Sequence, residues 1–354
     1  MMAAPIRVLV VDDQSFMRIA LRRIIEAEGD MQVVGEARDG TEALALALAL
    51  KPDAVTMDVE MPEMDGLEAC ARILAEVVPP PAVIMVSAFT QRDAKATTQA
   101  LRLGAVDFVS KSSLHVTTDL AKIDEELRPK LRAWSRWRPD SAPTAPTLPA
   151  LHGGRKPGGV PDLILIAAST GGPQTLTRLL KALGPIDIPI VIALHMPEFF
   201  TANFAEMLGQ DTGCTVREGG HRQKLEARQV TLLPGGKDGI IGPAVGGGYE
   251  LRVVKIDATV HPNADALFES AAMIVARPAG IVLTGMGEDG ARGAVALRRK
   301  GAPILVQDPA SCIVGGMPEA VIAAVRETEI RSIEAIAEQL AAWSRRVLPP
   351  AQRD

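Results

Sequence analysis

Aromatic residues are scarce in this chain, with seven Phe, three Trp and one Tyr among 354 residues. So few rings argue against a stacking platform for single-stranded nucleic acid. Positive charge is not in excess either: 43 Asp and Glu against 38 Lys and Arg leave a formal charge of −5, whereas nucleic-acid backbones select basic faces. The three cysteines, Cys70, Cys214 and Cys312, are far apart and odd in number. They offer neither a disulfide framework nor a metal-ligand spacing, which fits a reducing cytoplasm. No apolar run approaches the roughly 20 residues of a membrane span. The longest candidate, Ala43 to Leu50, reads as a buried helix face. The first strand is entered at Ile6 and meets Asp12 and Asp13, unlike a signal peptide. A cytoplasmic protein without membrane insertion or a nucleic-acid partner is expected.

What is present is regular alternation. At roughly 100–200 residues per domain, the length allows about two domains. Short β-branched runs at Ile6–Val11, Met31–Ala37, Ala54–Asp58, Ala82–Ser87 and Val106–Ser110 alternate with helical periodicity at Ser15–Glu28, Thr41–Leu50, Gly66–Glu76, Arg92–Leu103 and Thr118–Trp137. Such alternation predicts a parallel sheet covered on both faces, of flavodoxin-like size. Between Pro139 and Pro161 prolines accumulate and periodicity fades, as in a semi-extended linker. The basic stretch Lys130 to Arg138, with Trp134 and Trp137, reads as an amphipathic helix end, with a docking surface as the other possibility.

Alternation resumes after Asp162. Strands are expected at Leu163–Ala168, Ile188–Leu194, Gln229–Leu233, Leu251–Ile256, Gly280–Thr284 and Ile304–Gln307, with helices at Pro173–Leu183, Ala264–Ala276, Ala291–Lys300, Pro318–Val325 and Ile333–Arg346. The fold class predicted is α/β with two doubly wound parallel-sheet domains, the first flavodoxin-like and the second Rossmann-like. The boundaries are 1–128 for the first domain, 129–161 for the linker and 162–354 for the second domain.

Two nucleophiles end apolar strands. In the first domain, Asp12 and Asp13 follow the first strand, Asp58 ends the third, Ser87 the fourth, and Lys111 the fifth. Carboxyl ends of parallel strands share one edge, so these side chains should converge. Crowded carboxylates with oxygen donors suit Mg²⁺, and phosphoryl transfer needs positioning and charge neutralisation above all. Asp58 would attack, Lys111 would balance charge, and Ser87 would hydrogen-bond a phosphoryl oxygen. Any one of these Asp residues could instead cap a helix.

In the second domain Ser169 follows a strand and precedes Thr170-Gly171-Gly172-Pro173, a turn that aims helix N-terminal N–H groups at a developing oxyanion. The general base would be a histidine. His195, at the end of Ile188–Leu194, is favoured, with His261 in reserve; His115 and His152 belong to the first domain and the linker. Asp289, in Gly287-Glu288-Asp289-Gly290, is the candidate to orient that imidazole, with Asp265 and Asp308 less well placed.

Residues 6–128 resemble a response-regulator receiver domain, through Asp12-Asp13, Asp58 followed by Met61-Pro62-Glu63-Met64-Asp65-Gly66, Ser87 and Lys111. That resemblance implies phosphorylation of Asp58 by a histidine kinase, a Glu60 backbone carbonyl on the Mg²⁺, and Phe108 as an aromatic switch residue. Ser112 stands where that family usually has proline. The segments Ser169-Thr170-Gly171-Gly172, His195-Met196-Pro197 and Thr284 to Gly290 resemble chemotaxis protein-glutamate methylesterases, as do Asp265-Ala266-Leu267-Phe268 and Gly316-Met317-Pro318. This likeness implies a phosphorylation-activated enzyme hydrolysing glutamyl γ-methyl esters on chemoreceptors, and deamidating receptor glutamines, with no cofactor for the esterase. It assigns Ser169, His195 and Asp289 as the triad and the N–H groups of Thr170 and Met286 to the oxyanion. Asp238, Asn263, Ala264 and Gly315 depart from the family pattern. The alternative is a receiver-controlled binding module whose hydrolase domain is inactive or altered in substrate.

Overall fold

The computed structural model of the chain describes residues 4–88, 90–111, 116–136 and 159–345. Ser112, His115, His152, Trp137 and most of the expected linker lie outside these residues. The chain divides into two compact units, Met1–Arg138 and Pro139–Asp354.

The first unit alternates β1 (Ile6–Val11), α1 (Ser15–Glu26), β2 (Met31–Ala37), α2 (Gly40–Leu50), β3 (Ala54–Asp58), α3 (Gly66–Glu76), β4 (Ala82–Ala88), α4 (Gln91–Leu103), β5 (Asp107–Lys111) and α5 (Val116–Arg136). Its strands pair in the order β2-β1-β3-β4-β5, all parallel. The strand cores are β-branched and fully buried, as in Val8, Val10, Val55 and Val83, because helices cover both faces of such a sheet. Asp39, Asp65 and Thr90 cap α2, α3 and α4 by accepting the third amide of each helix.

Helix α5 continues to Arg136, so residues 129–136, expected within the linker, belong to the first unit. Burial is the reason. Trp134 is 3% exposed and its Nε1 donates to Asp107 Oδ2 at 3.2 Å. Lys130 Nζ donates to Asp107 Oδ1 at 3.1 Å and to the Phe108 carbonyl at 2.6 Å. Burial opposes the Lys130 charge, but Asp107 and Glu126 together more than offset this and raise its proton affinity. Trp134 and Lys130 are therefore packing residues on β5, and the docking-surface reading of these two is set aside.

The second unit contains β6 (Leu163–Ala168), α6 (Gly172–Leu183), β7 (Ile190–Leu194), α7 (Phe200–Thr212), β8 (Thr215–Glu218), β9 (Gln223–Lys224), β10 (Gln229–Leu232), β11 (Asp238–Pro243), β12 (Tyr249–Val254), α8 (Ala264–Ile274), β13 (Pro278–Val282), α9 (Ala291–Arg299), β14 (Ile304–Gln307), α10 (Gly316–Ala324), β15 (Glu329–Arg331) and α11 (Ile333–Arg345). Seven parallel strands form one sheet in the order β15-β14-β13-β6-β7-β10-β8. Phe268 and Leu297 anchor the core packed against it, with Leu165 and Val282 on the sheet itself.

The run expected as a strand at Leu251–Ile256 does not join that sheet. It is β12, antiparallel to β11 and β9 in a separate three-stranded sheet. Gly246, Gly247 and Gly248 all take positive φ, reversing the chain within a short turn, and a hairpin of that length can only pair antiparallel. Periodicity does not predict α7: the residue before it, Phe199, takes the left-handed region and offers no side-chain cap, and Gly209 lies inside the helix.

Gly66 links this framework to the first candidate nucleophile. Its N–H donates to the Val59 carbonyl at 3.0 Å, and a Cβ there would overlap the Asp58 carbonyl oxygen. Gly66→Ala is expected to lower stability by about 2–4 kcal/mol. Urea unfolding followed by circular dichroism checks this, and an unchanged midpoint would mean the Asp58 loop yields at no cost.

Candidate functional site

In open parallel sheets, sites form at the carboxyl edge where the strand order reverses. In the first unit that point lies between β1 and β3. Val11 faces Met57 in register, so Asp12 and Asp58 emerge side by side. Asp58 faces Val86, while Ser87 and Ala88 face Ser110 and Lys111. The five expected residues therefore share one edge. Lys111 Nζ sits 2.7 Å from Asp12 Oδ2 and 2.8 Å from Asp58 Oδ2, and Asp58 Oδ1 accepts the Val59 N–H at 2.8 Å. Ser87 is fully buried beside them.

Carboxylate oxygens of Asp12, Asp13 and Asp58 can all lie within 4.8 Å of one another. Three hard oxygen donors, one of them exposed, match the needs of a divalent cation that retains water. Burial pushes the Asp58 carboxyl up to about 6; Lys111 opposes the rise and Asp12 adds to it. For Lys111 burial acts downward, but Asp58 and Asp12 outweigh it and hold the ammonium charged. The Glu60 side chain pairs with Arg92 at 3.1 Å on the surface. Phe108 is buried on β5, with Lys130 Nζ 5.3 Å from its ring centroid.

In the second unit the order reverses at β6, which has β7 on one side and β13 on the other. Ser169 follows β6 at that point. Its N–H donates to the Thr284 carbonyl at 3.0 Å, and Thr284 Oγ1 donates to the Thr170 carbonyl at 3.0 Å. On the other flank Ala168 pairs with Leu194, and the His195 N–H donates to the Ala168 carbonyl at 3.0 Å. Ser169 and His195 thus leave adjacent strands at the same level. Thr170 is buried and Met286 exposed, and among the described residues neither N–H enters a backbone–backbone hydrogen bond.

His195 Nε2 lies 2.8 Å from Asp289 Oδ2. Asp289 also accepts from Ala264 N at 2.7 Å, Asp265 N at 3.0 Å and Asn263 Nδ2 at 3.1 Å. Burial alone would raise this carboxyl, but the His195 hydrogen bond and charge, then the helix amides, bring it below its ordinary range. Asp289 is consequently held as the ion, an acceptor for the Nε2 edge of the imidazole, and Nδ1 is the ring nitrogen turned away from it.

The reserve candidates go elsewhere. Asp265 Oδ1 accepts from Gly290 N at 3.0 Å and Gly293 N at 2.7 Å. So α8 amides hold the acid preceding α9, while α9 amides hold the acid inside α8. Burial raises the Asp265 carboxyl, with Gly293 N–H opposing. His261 Nδ1 pairs with Asp238 at 2.9 Å, and Asp308 caps the turn Pro309–Ser311. Three contributors have no role assigned to them from the sequence: Thr284, Asn263 and Gln307, whose Oε1 accepts the Thr284 N–H at 2.9 Å. A buried polar residue at a strand end was the signal available for Thr284 and Gln307.

Residues 164–340 match the CheB methylesterase family model, and residues 8–119 match the response regulator receiver domain model. A protein-glutamate methylesterase/protein-glutamine glutaminase of Symbiobacterium thermophilum is 37% identical over 95% of this chain and 96% of its own length. One of Bordetella avium is 39% identical over 95% and 96% respectively. The solved CheB methylesterase catalytic domain of Thermotoga maritima is 29% identical, covers 52% of this chain and 98% of its own, and superposes with a TM-score of 0.49.

A pH dependence follows from Asp58. An unfolded aspartate titrates near 3.8 and this one at about 6. The protonated carboxyl's stabilising contribution is complete below the lower value and is lost as pH rises through the upper one. In divalent-free buffer Asp58→Asn is therefore expected to gain up to about 3 kcal/mol over wild type at pH 8 and nothing comparable at pH 4. Chemical denaturation at the two pH values checks it; an equal difference at both would contradict the burial account.

Proposed function

The chain belongs to the CheB methylesterase family, and we propose that it is a phosphorylation-activated protein-glutamate methylesterase and protein-glutamine deamidase acting on chemoreceptors in the cytoplasm. The observation that carries this reading is the His195–Asp289 pair at 2.8 Å on the strand end beside Ser169. No helix among the described residues is long and apolar enough to cross a membrane.

Ser169 Oγ attacks the γ-ester carbonyl carbon while His195 Nδ1 takes its proton. Asp289 stabilises the imidazolium, and the N–H groups of Thr170 and Met286 hold the oxyanion. The tetrahedral intermediate collapses, His195 returns the proton to the leaving oxygen, and methanol departs. His195 then takes a proton from water, whose oxygen attacks the acyl-serine, and glutamate and free Ser169 are regenerated. A glutamine side chain follows the same course with ammonia leaving. The esterase chemistry so written uses no cofactor.

In the first unit Asp58 accepts the phosphoryl group from a histidine kinase. Lys111 pairs with a phosphoryl oxygen, the Ser87 hydroxyl donates to another, and Phe108 is the switch residue on β5. Asp12, Asp13, Asp58 and the Glu60 carbonyl would hold Mg²⁺, which when bound neutralises phosphoryl charge. The alternative of a binding module with a silent hydrolase domain is not favoured, since the relatives carry hydrolase names and the His–Asp pair is formed.

Methanol release from methylated chemoreceptor membranes tests the reading. Ser169→Ala is expected to reduce release at least about 10³-fold, and Asp289→Asn to reduce kcat by a comparable factor. A small phosphodonor with Mg²⁺ should raise the wild-type rate and fail to do so in Asp58→Ala. Release that survives Ser169→Ala would overturn the assignment.

A further inference from the structure

Asp238 opens β11 and is fully buried. Its oxygens accept from His261 Nδ1 at 2.9 Å, Ile256 N at 3.1 Å and Asn263 N at 2.8 Å. Among the described residues no Lys or Arg pairs with it, and the side chain that does is the His261 imidazole. A buried carboxylate is costly unless several donors meet it, and these three all come from the segment leading into α8. Asp238 thus pins that segment at its start, near its end and at its last residue. The last residue, Asn263, is engaged through its backbone N–H and through both ends of its side-chain amide. Its N–H goes to Asp238, its Oδ1 accepts Ala266 N at 2.8 Å as the cap of α8, and its Nδ2 donates to Asp289 Oδ1 at 3.1 Å.

We infer that Asn263 is a positioning residue for the esterase reaction, holding Asp289 in the orientation that serves His195, and that the buried Asp238–His261 pair sets Asn263 in place. The inference rests on the function proposed above. The chemistry is directional. Asp289 Oδ2 faces His195, and Oδ1 is held by Asn263 Nδ2 and Asp265 N. Loss of the side-chain donor leaves Oδ1 one amide, so the carboxylate stays satisfied but can rock away from the imidazole. Asn263 acts on the base through Asp289, so its loss should appear in kcat and spare KM.

Asn263→Ser separates this role from folding, because serine keeps a cap acceptor for α8 and loses the amide donor. In the full-length protein, Asn263→Ser is expected to lower kcat for methanol release about tenfold with KM within about twofold, the loss of one hydrogen bond to a charged group. Its thermal midpoint should stay at the wild-type value, whereas Asn263→Ala should also unfold earlier. Asp238→Asn should lower kcat similarly, and its combination with Asn263→Ser should be no worse than either single change. A second readout needs no turnover: the downfield imidazole N–H proton of His195, held on Asp289, should be sharp in wild type and exchange faster in Asn263→Ser. An unchanged resonance together with kcat within about twofold of wild type would overturn the inference. If wild type shows no Ser169-dependent release, the proposed activity fails by itself, and the resonance comparison still decides the role of Asn263.

Discussion

Four donors converge on the Asp289 carboxylate: His195 Nε2, the amides of Ala264 and Asp265, and Asn263 Nδ2. The second unit's site depends on this convergence. A carboxylate in a dry setting stays ionised only when hydrogen bonds replace its water, each to a charged group being worth about 1.5–3 kcal/mol. Here the N-terminus of α8 supplies two of them, where the helix dipole also favours a negative charge. Asp265 returns the arrangement by accepting two amides at the start of α9. Each helix end satisfies its orphan N–H groups on the other's acid, so α8 and α9 are locked to each other and Asp289 is locked to both.

That lock has a chemical consequence. Asp289 is held ionised, which suits an Nε2–H donor, and under the proposed mechanism Nδ1 is then the nitrogen that serves as base. Thr284 holds the opposite flank, accepting the Ser169 N–H on its carbonyl and donating its hydroxyl to the Thr170 carbonyl. The first unit solves a related problem differently. Asp12 and Asp58 share Lys111, a single ammonium that opposes the rise burial gives Asp58 without cancelling it. In both units the candidate nucleophile stands where the strand order reverses, at β3 beside β1 and at β6 between β7 and β13, the crevice that a parallel sheet leaves uncovered.

Much of this was legible in the sequence. Strand ends carry side chains to one edge by topology alone, so Asp12, Asp58, Ser87 and Lys111 could be grouped without coordinates, as could Ser169 with His195. What periodicity could not supply was pairing outside that edge. Tyr249–Val254 alternates like any strand, and its departure from the main sheet is set by a glycine turn before it. The short edge strands Thr215–Glu218 and Glu329–Arg331 are half exposed and carry little apolar signal. Trp134 looked like a surface aromatic on a basic helix because Asp107, the acid that buries it, lies 27 residues away. Asn263 and Asp238 read as departures from a motif, and their bond to each other is visible only in three dimensions.

We propose Ser169 as a nucleophile activated by His195 and Asp289. Covalent labelling of the full-length protein with a fluorophosphonate, mapped by peptide mass spectrometry, tests it most directly. A single adduct on Ser169, absent in His195→Ala and formed more slowly in Asp289→Asn, is expected. An adduct on another residue, or labelling of Ser169 at the same rate without His195, would contradict it.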